Sequence, residues 1–104
     1  MSKSALFIRH QAQPGKRDEI KRVWEKYAQN YVADSRGQPA YFYCYEDNNP
    51  DAIVVFQLHA DADSANEFVK QPWYADYEQE TDALLAKPSE FHVATPQWIK
   101  GAAA

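Results

Sequence analysis

The chain has 104 residues, a net charge of −4, 45% hydrophobic and 25% charged residues. That length suits one domain with one core, and the acidic balance argues against a nucleic-acid or anionic-membrane partner. Aromatics reach 14%, which points either to a tyrosine-rich core and interface or to a cavity for a flat organic ligand. Cys44 is the single cysteine, so no intramolecular disulfide can form and a reducing cytoplasm is expected. Within its strand-like run Cys44 reads as a buried, inert thiol. No apolar run approaches the roughly 20 residues of a membrane span, and Met1-Ser2-Lys3-Ser4 lacks the features of a signal peptide.

In chain order, Ala5 to Ala12 reads as a strand closed by Gln13-Pro14-Gly15. Ile20, Val23, Trp24, Tyr27 and Tyr31 then recur at helical spacing and form one stripe. Lys16, Arg17, Lys21, Arg22 and Lys26 alternate with Asp18, Glu19 and Glu25, the pattern of a solvated helix face. Arg36-Gly37-Gln38-Pro39 stops this region. Two strand-like runs follow, Ala40–Tyr45 and Ala52–Leu58, around the turn residues Asp47-Asn48-Asn49-Pro50-Asp51. Asp61 is placed to cap a helix from Ala62, with Ala65, Phe68 and Val69 on its apolar face. Pro72 interrupts it. Trp73, Tyr77, Leu84 and Leu85 continue a helical stripe to Lys87-Pro88, and Phe91–Thr95 is the last strand.

The order β-α-β-β-α-β predicts an α+β, ferredoxin-like domain spanning residues 1–104, with a core of about 5–99 and a four-stranded antiparallel sheet. Two helices cover one face of such a sheet. The hairpin strands are apolar on both faces, where a sheet with one wet face should alternate. A second copy covering the other face, a homodimer, is therefore expected.

Pro14-Gly15-Lys16-Arg17-Asp18-Glu19, Tyr41-x-Tyr43-x-Tyr45-Glu46-Asp47-x-x-x-Asp51, Val54-Val55-Phe56, Asp61-Ala62-Asp63-Ser64-Ala65, Pro72-Trp73-Tyr74 and Leu84-Leu85-Ala86-x-Pro88 together resemble the antibiotic biosynthesis monooxygenase family, from about Leu6 to Thr95. The resemblance implies two sheets packed as a dimeric α+β barrel. It also implies a monooxygenase that needs no cofactor and acts on a quinol-like or polyphenolic small molecule with dioxygen. Haem-degrading members carry an Asn on the first strand and a Trp with a His on the second helix. Trp73 is present here, but residues 62–87 contain no histidine, which disfavours haem chemistry. Other members often have a His after the Pro of the second helix, where this chain has Trp73.

That chemistry requires a dry aromatic cavity, a proton acceptor and a donor for the developing oxyanion. With strand order 4-1-3-2 and the first and third strands taken as parallel, His10, His59 and His92 gather at one end of the sheet. His10 is the expected catalytic base. No short metal-ligand spacing is present, so no metal site is assigned. Trp24, Tyr27, Tyr43, Asn66, Trp73 and Tyr77 are the expected substrate contacts, and the same aromatic positions also suit core packing. Two other functions fit the same cavity: an isomerase or tautomerase on a small oxo-acid, and a non-catalytic small-molecule-binding dimer. GxGxxG, GxxxxGK[ST], GxSxG, HExxH and CxxC do not occur.

Overall fold

The computed structural model describes residues 3–101. Its elements are β1 (Ser4–Gln11), α1 (Arg17–Tyr27), α2 (Gln29–Asp34), β2 (Ala40–Tyr45), β3 (Ala52–His59), α3 (Ala62–Val69), α4 (Tyr74–Asp82) and β4 (Glu90–Ala94). The strands form one antiparallel sheet in the order β2-β3-β1-β4. The fold is α+β and ferredoxin-like, with each predicted helical region divided in two.

The division of the first region falls at Ala28, which is fully buried; its N–H still donates to the Trp24 carbonyl at 2.8 Å, and its own carbonyl accepts from Val32 at 2.9 Å. The second division falls around Pro72, which has no N–H for a helix interior. Asp61 caps α3 as the sequence predicts, its carboxylate accepting the Ser64 N–H at 2.8 Å. The helical stripe predicted through Leu84 and Leu85 ends earlier, at Asp82. Leu84 instead accepts the Gln13 N–H at 2.9 Å and Ala86 donates to Gln11 at 2.8 Å, so this segment extends the end of β1.

The expectation that β1 and β3 run parallel is corrected. Each helical crossover joins strands of like direction, and the β2–β3 hairpin reverses the chain, so β3 opposes β1. His59 therefore pairs with Ser4 at one end of the sheet and His10 with Ile53 towards the other, while His92 sits opposite Phe7. The three histidines are dispersed. Among the described residues no group of three metal-ligating side chains comes together.

Pairing assigns the two faces. Tyr41, Tyr43 and Tyr45 of β2 share the helix-covered face with Ile53, Val55, Gln57 and His59 of β3 and with Leu6, Ile8 and His10 of β1. Ile8, Ala12, Ile20, Ile53 and Val55 form one buried core there. The opposite face carries the row Phe42, Phe56, Phe7 and His92, one residue from each strand. Phe42 is 58% and Phe7 42% exposed. Cys44 lies on this open face and is exposed, which corrects its reading as a buried thiol: an alternate residue of an edge strand faces away from the helices. β4 is exposed along its length. Among the described residues no helix is long and apolar enough to cross a membrane.

The start of α1 is tied to the hairpin loop. Arg17 Nη1 donates to the carbonyls of Glu46, Asn49 and Ala52 at 3.3, 2.9 and 3.4 Å, and its guanidinium lies 3.9 Å from the Tyr45 ring centre. Gly15, at a φ of 78°, turns its N–H to the Asp51 carboxylate at 3.0 Å. Arg17 is thus a clamp rather than a member of a purely solvated face.

Candidate functional site

A second buried cluster lies between the helices and the other end of the sheet. Trp24, Ala28 and Phe68 are its buried centre, with Tyr31, Val32, Tyr41, Tyr43, Trp73, Tyr74 and Tyr77 packed around them. Local sequence explains the convergence. Trp24 and Tyr31 lie on the inward stripe of α1 and α2, the alternation of β2 turns Tyr41 and Tyr43 to meet them, and the break before α4 brings Trp73 in beside Phe68. Trp24 lies 4.6 Å from Tyr43 and 5.7 Å from Tyr41 between ring centres. Trp73 packs edge-on against Phe68 at 5.4 Å and Tyr77 at 5.9 Å.

A polar chain runs along the sheet side of this cluster. The Trp24 indole N–H donates to the Tyr41 oxygen at 3.0 Å, and Gln57 Nε2 donates to the same oxygen at 3.5 Å. His59 Nε2 lies 2.9 Å from Gln57 Oε1. An amide oxygen only accepts, so Nε2 is the protonated nitrogen of the neutral ring. His59 Nδ1 and the Tyr43 hydroxyl are buried and have no protein partner. Such orphan groups are uncommon in folded proteins and call for an explanation such as an unseen water or a ligand.

Burial governs the acidities. It pushes the Tyr41 hydroxyl up to about 12, with the Trp24 and Gln57 donors pulling the other way. It raises Tyr43 and Tyr77 further, helped in both cases by neighbouring phenols. Burial also lowers the His59 imidazole below its ordinary value, so the ring is neutral near neutral pH.

Of the expected contacts, the structure brings Trp24, Tyr43, Trp73 and Tyr77 together in this cluster. Tyr27 lies at its margin, 6.2 Å from Tyr77 and 6.4 Å from Trp73, and its hydroxyl donates to Glu80, which also pairs with Lys26 at 3.3 Å. That hydrogen bond to Glu80 is the main cause of a raised Tyr27 pKa. Asn66 is exposed on α3 and stands outside the cluster, because it lies two residues, over half a helical turn, from the inward-facing Phe68. Arg9 is on the open sheet face, paired with Glu46 at 3.0 Å.

His10 shares the helix-covered face but sits in the other core, level with Tyr45 and Ile53. Its Nδ1 is 2.5 Å from Ser89 Oγ. Burial pushes its pKa down to about 4, with the Asp82 carboxylate opposing. It is buried, engaged and distant from the aromatic cluster. Within this polar chain the sequence alone draws attention to Tyr41 and to His59, the latter as one of three histidines, but not to Gln57. A signal was present: Gln57 and His59 are polar residues at alternate positions of an otherwise apolar strand.

Two open clefts, of about 340 and 370 Å³, lie beside Asp82–Pro88 and between α1 and α4, and neither is lined by the aromatic cluster.

No family model matches the sequence, and no curated protein matches it. Solved structures do. A candidate antibiotic biosynthesis monooxygenase from Chloroflexus aurantiacus superposes with a TM-score of 0.79 at 23% identity, covering 96% of this chain and 98% of its own. A Mycobacterium tuberculosis protein gives 0.85 at 18% identity, covering 96% and 100%. A variant of SnoaB, described as a cofactor-independent oxygenase from Streptomyces nogalater, gives 0.81 at 18% identity, covering 98% and 100%. At these identities the likeness is one of fold, and over almost its whole length the chain has the fold of the structures named antibiotic biosynthesis monooxygenases.

Proposed function

We propose that this chain is a monooxygenase that uses no cofactor and acts on a quinol-like or polyphenolic small molecule. The observation that carries the reading is the Trp24–Tyr41–Tyr43–Trp73–Tyr77 cluster, an aromatic environment holding buried hydrogen-bonding groups that lack partners. Its fold is also that of a protein described as a cofactor-independent oxygenase.

The chemistry balances without a reductant. A phenol activates an adjacent methylene; loss of a proton gives a delocalised anion, which transfers an electron to dioxygen. Recombination forms a carbon–oxygen bond and a peroxide, which takes up a proton. Elimination of water leaves a carbonyl, so one oxygen atom is retained and the other leaves as water. All four electrons come from the substrate. The protein supplies a proton acceptor, a hydroxyl or N–H donor for the developing oxyanion, and exclusion of bulk water.

The make-up of the cluster also bears on the oxo-acid alternative. An oxo-acid brings a carboxylate that calls for an Arg or Lys partner, whereas the residues of this cluster are neutral. A phenolic substrate fits better. We place the protein in the cytoplasm as a homodimer paired through the Phe42–Phe56–Phe7 face, which has the apolar character of an obligate interface.

The test is oxygen uptake against a panel of hydroquinones and anthrone-like phenols. One dioxygen consumed per product, with one labelled oxygen atom retained, is the expected result. A flat trace across the panel from folded protein overturns the oxygenase reading.

A further inference from the structure

The polar chain of the cluster is saturated in its middle and open at two atoms. His59 is 1% exposed and lies on the helix-covered face two residues beyond Gln57, about 7 Å along the strand. Its protonated Nε2 is spent on Gln57 Oε1, so Nδ1 keeps a lone pair, and that atom is buried without a protein partner. Tyr41, cross-strand from Gln57, is the complement. Its oxygen receives the Trp24 N–H and the Gln57 amide, which occupy both lone pairs. The remaining capacity of Tyr41 is to donate its own O–H. Gln57 holds both in register, its oxygen fixing the tautomer of His59 and its nitrogen the acceptor side of Tyr41. The other side chains of the cluster that holds Tyr41, among them Tyr43, Phe68, Trp73 and Tyr77, carry no charge.

We infer that His59 Nδ1 and the Tyr41 hydroxyl are an acceptor–donor pair that recognises the oxygen substituents of an uncharged phenol, the ligand hydroxyl donating to His59 and a ligand oxygen accepting from Tyr41. The inference rests on reading this cluster as a ligand site. It replaces His10 with His59 as the imidazole that meets the substrate proton. Burial, which keeps the His59 ring neutral, leaves its lone pair available at neutral pH.

The test reads binding rather than turnover. 1-Naphthol and 1-methoxynaphthalene are titrated into the full chain, with quenching of tryptophan fluorescence as the signal. The two ligands share a ring system and differ in the hydroxyl proton. Naphthol should bind about tenfold more tightly, the ratio expected of roughly one net hydrogen bond. His59→Phe should abolish that preference while methoxynaphthalene still binds. Tyr41→Phe should weaken both ligands, since each presents an oxygen acceptor. His10→Gln should leave the preference intact. Equal affinities in the wild type, no saturable naphthol binding, or a preference that survives His59→Phe overturns the assignment.

A second measurement needs no substitution. In the free protein the ¹⁵N resonances of His59 should report Nε2 protonated and Nδ1 bare, and naphthol should move the Nδ1 resonance towards its hydrogen-bonded position. An unmoved Nδ1 resonance in the saturated complex overturns the inference. Oxygen uptake separates the two proposals: a protein that binds naphthol in this way and consumes no oxygen loses the monooxygenase reading and keeps the site. A protein whose oxygen consumption is unaffected by His59→Phe keeps the activity and loses the site.

Discussion

Tyr43 and Trp24 pack ring against ring across the helix–sheet boundary, with centroids 4.6 Å apart, and the Tyr43 hydroxyl is buried beside them with no protein partner. A buried hydroxyl without a hydrogen bond opposes folding by about 1–3 kcal/mol. Tyr43→Phe keeps the ring and removes the hydroxyl. It should raise the ligand-free unfolding free energy by about 1 kcal/mol while weakening binding of hydroxylated aromatics, the trade-off expected where a site is kept polar for function. Urea unfolding measures the first effect and fluorescence titration the second. A destabilised variant would mean that the hydroxyl is satisfied in solution.

The open sheet face yields a prediction about assembly. Phe42 and Phe56 pair across β2 and β3 at 5.7 Å, and Phe7 continues the row at 4.9 Å from Phe56. Phe42→Asp places a charge in the apolar row of any sheet-to-sheet contact and should convert a dimer into monomers in sedimentation equilibrium, with far-UV circular dichroism retained. A wild-type chain that sediments as a monomer at low micromolar concentration removes the dimer from the proposal.

His10 should make the fold acid-sensitive. Its pKa is near 4 when folded and 6.5 is its ordinary value, so between those limits the unfolded chain binds the extra proton. Stability therefore rises with pH through this window and is lost as pH falls from about 6.5 to 4, by on the order of 3 kcal/mol. The Asp82 carboxylate opposes the shift, and burial of His59 adds to the loss in the same direction. His10→Gln should flatten most of this slope in urea midpoints measured from pH 7.5 to 4.5. An unchanged slope would show that His10 is solvated in the folded protein.

Arg17 should act through geometry rather than charge. Its guanidinium reaches three loop carbonyls while lying over Tyr45. A lysine ammonium cannot reproduce that planar fork. Arg17→Lys should cost about 1–2 kcal/mol and speed amide exchange at Asn49 and Ala52, whose N–H groups hold the turn. Exchange rates equal to wild type would show the clamp to be incidental.

Much of the fold could be read directly from residue order, because the deciding interactions are local. Helical spacing from Ile20 to Tyr31, the Asp61 cap, the interruption at Pro72 and the turn residues 47–51 act over a few residues, and the element order follows; the strand order comes with the ferredoxin-like topology that this element order implies. The aromatic cluster of the candidate site was legible for the same reason: Trp24, Tyr43, Trp73 and Tyr77 point inward by periodicity alone. What escaped was relational. The parallel assignment of β1 to β3 put His59 at the same end of the sheet as His10, because strand direction depends on the whole path of the chain. Asn66 is exposed on α3, away from the side of the helix that carries Phe68.

Composition, spacing and turn chemistry thus specify the elements, their order and the inward aromatic stripe, since each is a short-range property of neighbouring residues. Three-dimensional packing alone establishes that Trp24 and Gln57 share the Tyr41 oxygen, that His59 Nδ1 is left without a protein partner, and that His10 is taken by Ser89. Those outcomes hinge on distances between groups 16 to 79 residues apart in the chain, and on the burial that makes an unmade hydrogen bond costly.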